Sequence, residues 1–138
     1  MTIVIIGVIG LLNMSRIVDP ILLTFISENS IEKRHALIQQ INTLHPNRIP
    51  VLVGRGELKV TPSIKKYKFL VPVESIFGKF LKDVKNNISD VESYKTIIFF
   101  VGDIIPTASA SMQQLYDKYK REDGFLYVTY VCENTFGC

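Results

Sequence analysis

The chain has 138 residues, 47% hydrophobic and 21% charged, with a formal net charge of +3. That length suits one domain, and an apolar fraction this high, with eight Phe and six Tyr, excludes a disordered polymer. The mild charge excludes a strongly basic nucleic-acid tail, and two cysteines, Cys132 and Cys138, cannot build a disulfide framework or a cysteine-rich zinc site.

Residues 1–12, MTIVIIGVIGLL, are uncharged and apolar, and Arg16 and Asp19 interrupt them before a second apolar run, ILLTF. A membrane-spanning helix needs about 20 apolar residues, which this stretch lacks, and a signal peptide needs a positive start that is absent before Ile3. Three readings of residues 1–23 stay open: an upstream extension with Met14 as the working start, a helix or arm packed on the domain, or a shallow membrane-seeking peptide. The domain proper is placed at 24–137.

From Ile31 to Leu44 the apolar residues Leu37, Ile41 and Leu44 recur at helical spacing, with charged and amide residues largely opposite. Ser30 suits the N-cap and Pro46 stops the helix. RIPVLV (48–53) reads as a strand, with Gly54 and Gly56 punctuating its end, and 66–71 reads as a second strand closed by Pro72. A weakly amphipathic helix is predicted over 74–88. The apolar run TIIFFV (96–101) suits a buried central strand. A helix through Met112, Leu115, Tyr116 and Tyr119 follows, then a turn at Asp123-Gly124 and a last strand over 125–131. One α+β domain results, a sheet with helices packed on it.

Charge is uneven. Residues 46–90 hold nine Lys or Arg against Glu57, Glu74, Asp83 and Asp90, while residues 91–138 hold four basic and six acidic side chains. A basic middle suits acidic partners, and is equally compatible with a solvated face that binds nothing.

Catalysis finds little to work with. Acyl transfer needs a nucleophile, a base and an orienting group. His35 and His45 lie on or just after the first predicted helix, and His35 reads as a helix-surface side chain. Gly54-Arg55-Gly56 starts like a dinucleotide loop but has Lys59 where the third glycine belongs. No catalytic residue, cofactor site or metal site is expected.

The run Lys65-Lys66-Tyr67-Lys68-Phe69-Leu70-Val71-Pro72 is the most informative internal feature. Strand alternation places Lys66, Lys68 and Leu70 on one face and Lys65, Tyr67 and Phe69 on the other. Lysines on an edge strand discourage unwanted pairing, and the same edge can accept a peptide strand whose acidic residues meet them. Nucleic acid is the rival partner, and an excess of five charges in one third of the chain supports it thinly. At the far end, Gly137 precedes Cys138. A glycine there is sterically open, so its carbonyl can enter a narrow protease or thioester channel, although a frayed terminus is the ordinary fate of a chain end.

The strings IEKR (31–34), PNRIPV (46–51), KFLVP (68–72), DGFLYVTY (123–130) and ENTFG (133–137) together resemble the autophagy ubiquitin-like modifiers, the family of the GABA-receptor-associated protein and microtubule-associated light chain three. The resemblance runs from about Thr24 to Gly137, with one insertion in the 89–95 loop. It implies a ubiquitin-like β-grasp fold with two N-terminal helices, and a conjugated tag in place of a catalyst.

By that resemblance a cysteine protease cuts after Gly137 and removes Cys138, and activating and conjugating enzymes pass the glycine to phosphatidylethanolamine. The lipid tethers a cytoplasmic domain to the autophagosome membrane, where the edge strand recruits cargo receptors through acidic-aromatic motifs. No other cofactor is implied, and nucleic acid is not expected as a partner. The resemblance further implies an aromatic pocket at Ile41, Pro50, Lys68, Leu70 and Phe125, with Leu37 replacing an acidic residue at its edge. An aliphatic pocket is implied at Phe69, Val71, Pro72 and Phe80. There Ser75 and Asp83 stand at positions that are usually apolar, and Asn87 replaces an arginine. A carboxylate facing an aliphatic slot is costly to desolvate, so an altered motif preference is expected. The alternative is an unconjugated sibling, a soluble peptide- or microtubule-binding adaptor.

Overall fold

The computed structural model describes residues 16–56, 62–88 and 94–134. In chain order the elements are α1 (Pro20–Glu28), α2 (Ile31–Leu44), β1 (Arg48–Arg55), β2 (Lys68–Pro72), α3 (Phe77–Lys85), β3 (Tyr94–Val101), α4 (Met112–Tyr119) and β4 (Leu126–Asn134). The strands form one sheet in the order β2-β1-β4-β3. β1 pairs antiparallel with β2 and parallel with β4, and β3 pairs antiparallel with β4. A parallel central pair flanked by antiparallel neighbours, with helices on it, is the mixed α+β sheet of a ubiquitin-like fold.

Both faces of the sheet are buried, by different helices. Ile49, Val51 and Val53 of β1 point with Phe69 and Val71 of β2 toward α3 and α4, where Phe77, Phe80, Val84 and Met112 complete the larger core. The alternate residue Leu52 joins Phe125 and Tyr127 on the opposite face, under Leu22 and Phe25 of α1 and Ile38 of α2. The period-2 geometry of a strand produces this division.

Helix α1 has no counterpart in the periodicity reading, because its residues PILLTFISE are mostly apolar all round and give no stripe. Among the described residues two helices precede β1, as the resemblance implies. The helical unit starts before the boundary placed at Thr24: Asp19 caps α1, accepting from Ile21 N–H at 3.0 Å, and Leu22 is completely buried. The second Asp19 oxygen accepts from the Arg55 main-chain N–H at 3.1 Å and from its Nε at 3.2 Å, which ties α1 to the end of β1. Residues 1–15, including Met14, lie outside the described residues.

Gly54 also takes a different part from the punctuation expected of it. It lies inside β1, where a Cβ would meet Leu22 Cδ2 at 2.7 Å and Asp19 Cβ at 3.2 Å, so the missing side chain lets α1 approach the sheet. A Gly54→Ala chain is expected to lose about 1–3 kcal/mol through overpacking, read as a lower melting temperature. A rise in melting temperature would mean that Leu22 swings aside without cost.

Other boundaries shift for local reasons. The helix expected over 74–88 is α3 alone, because Ser75 N–H closes a turn on Pro72 O (3.0 Å) and Ile76 is extended, bridged to Ser111. The strand expected from 66 begins at Lys68. Lys65 N–H instead donates to Asn87 O at 2.8 Å. Pro50 sits in a central strand without breaking it: β1 begins pairing with β4 only at Val51, so the absent N–H is not missed on that side.

Candidate functional site: paired cavities at the free edge of the sheet

Among the described residues strand β2 hydrogen-bonds to β1 on one side only, which leaves its other edge open. Its burial alternates as the sequence suggested: Lys68 and Leu70 are exposed, Phe69 and Val71 buried. Lys66 departs from that pattern. It precedes the strand, its ammonium lies 4.7 Å from the Phe69 ring centroid, and it lines cavities on both sides of the edge.

The first cavity, about 440 Å³, opens between β2 and α2. Ile41, Pro50, Lys68, Leu70 and Phe125 line it together, and Leu37 stands at its wall. Phe25 of α1 also lines it and was not legible in the sequence. Its ring meets Phe125 edge-on at 5.9 Å, and the Lys68 ammonium lies 5.1 Å from its centroid. The result is an apolar bed with a cationic mouth. Such a bed holds an aromatic side chain, and the lysines favour acidic neighbours.

The second cavity, about 400 Å³, lies on the other side of β2. Phe69, Val71, Pro72 and Phe80 line it, with Ser75, Asp83 and Asn87, the positions where polar replacement was expected. Arg48 and Lys79 join them, and neither was anticipated. The two cavities share Lys66, Phe69 and Leu70.

Helix α2, which supplies Leu37 and Ile41, is clamped to the sheet by a buried polar cluster. Arg34 donates to Asp123 Oδ2 at 2.8 Å, the Tyr127 hydroxyl donates to the same oxygen, and Asp123 Oδ1 accepts from Phe125 N–H at 2.9 Å. His35, on the exposed face of α2 as expected, lies with Nε2 2.6 Å from Glu122 O. At the adjoining turn Gly124 has φ +92°, and a Cβ there would meet Ile38 at 3.0 Å, so glycine is required twice over.

Burial, the Asp123 hydrogen bond and that carboxylate's charge push the Tyr127 phenol up to about 12. The neutral phenol is therefore the form the fold favours. Its contribution is complete below pH 10 and is lost as pH climbs through about 12. Urea unfolding should show about 2 kcal/mol less stability at high pH, and Tyr127→Phe should flatten that decline. A decline of the same size in the variant would assign it elsewhere.

Among the described residues no three His, Cys, Asp or Glu side chains gather as metal ligands, and no helix is long and apolar enough to cross a membrane. Cys132 is buried, and burial pushes its thiol up to about 11, away from the reactive thiolate. Gly137 and Cys138 lie outside the described residues.

The sheet order, the helices on both faces and the open edge define a ubiquitin-like domain with an N-terminal helical addition. Residues 33–137 match the family described as autophagy protein Atg8, ubiquitin-like. The chain belongs to that family of ubiquitin-like autophagy proteins. It is 39% identical over 114 residues to autophagy-related protein 8 of Dictyostelium discoideum, covering 83% of this chain and 93% of the relative. It is 41% identical over 114 residues to autophagy-related protein 8d of Arabidopsis thaliana, covering 83% and 94%. Among solved structures, Trypanosoma brucei ATG8 superposes with a TM-score of 0.70 at 29% identity, over 82% of this chain and 97% of that one. Plasmodium falciparum Atg8, solved in complex with a Plasmodium falciparum Atg3 peptide, gives 0.67 at 36% identity, over 75% and 91%.

Proposed function

We propose that this chain is a conjugated modifier of autophagy: it is cleaved after Gly137, joined through that glycine to the amine of phosphatidylethanolamine, and used on the autophagosome membrane as a docking platform. The observation that carries the platform is the apolar cavity beside an unpaired strand edge, with Lys66 and Lys68 at its mouth. An acidic-aromatic peptide can add as a strand to β2, place its aromatic ring among Phe25, Ile41 and Phe125, and set its acidic residues against the lysines. Cargo receptors and the processing and conjugating enzymes are the partners such an edge suits. The complex of the Plasmodium falciparum relative with a peptide supports this reading.

A conjugated lipid would supply the hold on the membrane. Among the described residues no helix supplies a membrane anchor, and the two acyl chains of a phospholipid hold a protein on a bilayer far more firmly than one chain does. The cytoplasm is the expected home of the free form.

Mass spectrometry of the protein from cells tests conjugation: loss of Cys138 together with a phospholipid adduct on Gly137 supports it, and an unmodified chain refutes it. Docking is tested separately by Leu70→Asp. Leu70 is 38% exposed, so the fold should survive. A carboxylate at the cavity mouth removes apolar contact and repels acidic flanks, and affinity for an acidic-aromatic peptide should fall about 30-fold. Unchanged affinity would move the docking site away from this edge.

A further inference from the structure

We propose that the second cavity selects an asparagine or glutamine side chain as the second anchor of a docked peptide, in place of an aliphatic one. The inference rests on the peptide-docking reading above and names the partner chemistry of that edge.

The two cavities lie on opposite sides of β2, the first with Pro50 and Leu52, the second with Val71 and Phe80. A strand added to the free edge points alternate side chains to opposite faces, so its two anchors are an odd number of residues apart. One strand step spans about 3.3 Å and three steps about 10 Å, and the three-residue spacing is the one used in the test below.

The first cavity is lined by apolar side chains except for its lysines, and an aromatic anchor needs nothing more. The second is different. Phe69, Val71 and Phe80 give it apolar surface, and Ser75, Asp83 and Asn87 add polar groups beside its cations. Ser75 is 9% exposed, its main chain held by Pro72 O and Met112 N–H at 3.0 Å each. Asn87 is held in place by its amide nitrogen, which donates to the main-chain oxygen of Asp83 at 2.8 Å. The Asp83 carboxylate belongs to neither ion pair of the described residues.

An aliphatic anchor would strip water from Asp83 and Ser75 and return no hydrogen bond. A cationic anchor would meet Arg48, Lys66 and Lys79, and an anionic one would gain those cations but sit against the Asp83 carboxylate. A carboxamide avoids both conflicts. Its N–H₂ donates to the Asp83 carboxylate, while its oxygen accepts from the Ser75 hydroxyl or the Lys79 ammonium.

The test uses the full chain and four peptides with identical acidic flanks and one tryptophan, differing only three residues after it: Gln, Leu, Lys or Glu. Fluorescence anisotropy should show the Gln peptide binding about 5-fold tighter than the Leu peptide, with Lys and Glu both weaker than Gln. Asp83→Leu, on an exposed helical position, should reverse the order in favour of Leu, and Ser75→Val added to it should widen the reversal. Leu binding the native chain as tightly as Gln, or Lys or Glu binding more tightly, overturns the inference while leaving docking intact. If none of the peptides binds, or if replacing the tryptophan by alanine changes nothing, the docking reading itself fails and this inference falls with it.

Discussion

A Gly137→Ala chain is expected to lose membrane attachment altogether, staying in the soluble fraction of cell lysates while the native chain divides between soluble and membrane fractions. The reason is steric and chemical. A glycine carbonyl carries no Cβ beside it, so it can enter a narrow protease channel and then be activated, whereas one added methyl group obstructs the approach of the nucleophile. On the proposed conjugation, a chain that is neither cleaved nor activated forms no amide to phosphatidylethanolamine, and about two acyl chains' worth of membrane affinity is removed at once. The comparison is made by membrane flotation, with Cys138→Ala as a control that should still be processed and lipidated. A Gly137→Ala chain that floats with membranes as the native chain does would refute conjugation at this residue.

The second large effect is expected inside the fold. Asp123 is 1% exposed, and its carboxylate takes the Arg34 guanidinium, the Tyr127 hydroxyl and the Phe125 N–H together. Asp123→Ala leaves a partly buried guanidinium without its counter-charge and two further donors without acceptors. Breaking such a pair by deleting one partner costs about 3–5 kcal/mol, well beyond what an exposed ion pair would cost. That is a large fraction of the ~5–15 kcal/mol by which a domain is stable, so urea unfolding should begin at markedly lower concentration. The loss should reach the first cavity as well, because Arg34 fixes α2, which carries Leu37 and Ile41, and Phe125 is the cavity's far wall. Peptide affinity measured below the unfolding transition should therefore fall with stability. Asp123→Asn keeps the shape and one acceptor oxygen and should lose less. If Asp123→Ala unfolds like the native chain, the cluster is not what holds α2.

Much of the architecture is written locally. The spacing of Leu37, Ile41 and Leu44, with Ser30 before and Pro46 after, specifies α2 with its observed ends, because capping and periodicity are properties of adjacent residues. The alternation around Lys68 to Val71 is equally local, and the burial of β2 follows it residue by residue. Helix α1 escapes such reading, since its apolar residues run all round it, with Ile21 and Leu23 exposed beside the buried Leu22 and Phe25, and leave no period to betray it. The start of α3 escapes for a different reason: Ile76 is drawn into a bridge with Ser111, thirty-five residues away in the chain. The position of Gly54 likewise has meaning only once Leu22 and Asp19 are placed against it.

The candidate site divides along the same line. Family strings mark Ile41, Pro50, Lys68, Leu70, Phe125 and the polar substitutions at Ser75 and Asp83, since side-chain identity at a matched position is a one-dimensional fact. Phe25 and Lys79 come to the cavities only through the packing of α1 on the sheet and of α3 beside β2, and Arg48 through the pairing of β1 with β2. By itself, then, the sequence determined the chemistry available: a basic middle, an edge strand with lysines, and a glycine before the last cysteine. Tertiary structure alone decided that β2 has one open side and that its cavities lie on opposite faces, one apolar and one polar. Strand order and helix docking join residues remote in the chain, and no local rule of periodicity or capping reaches that far.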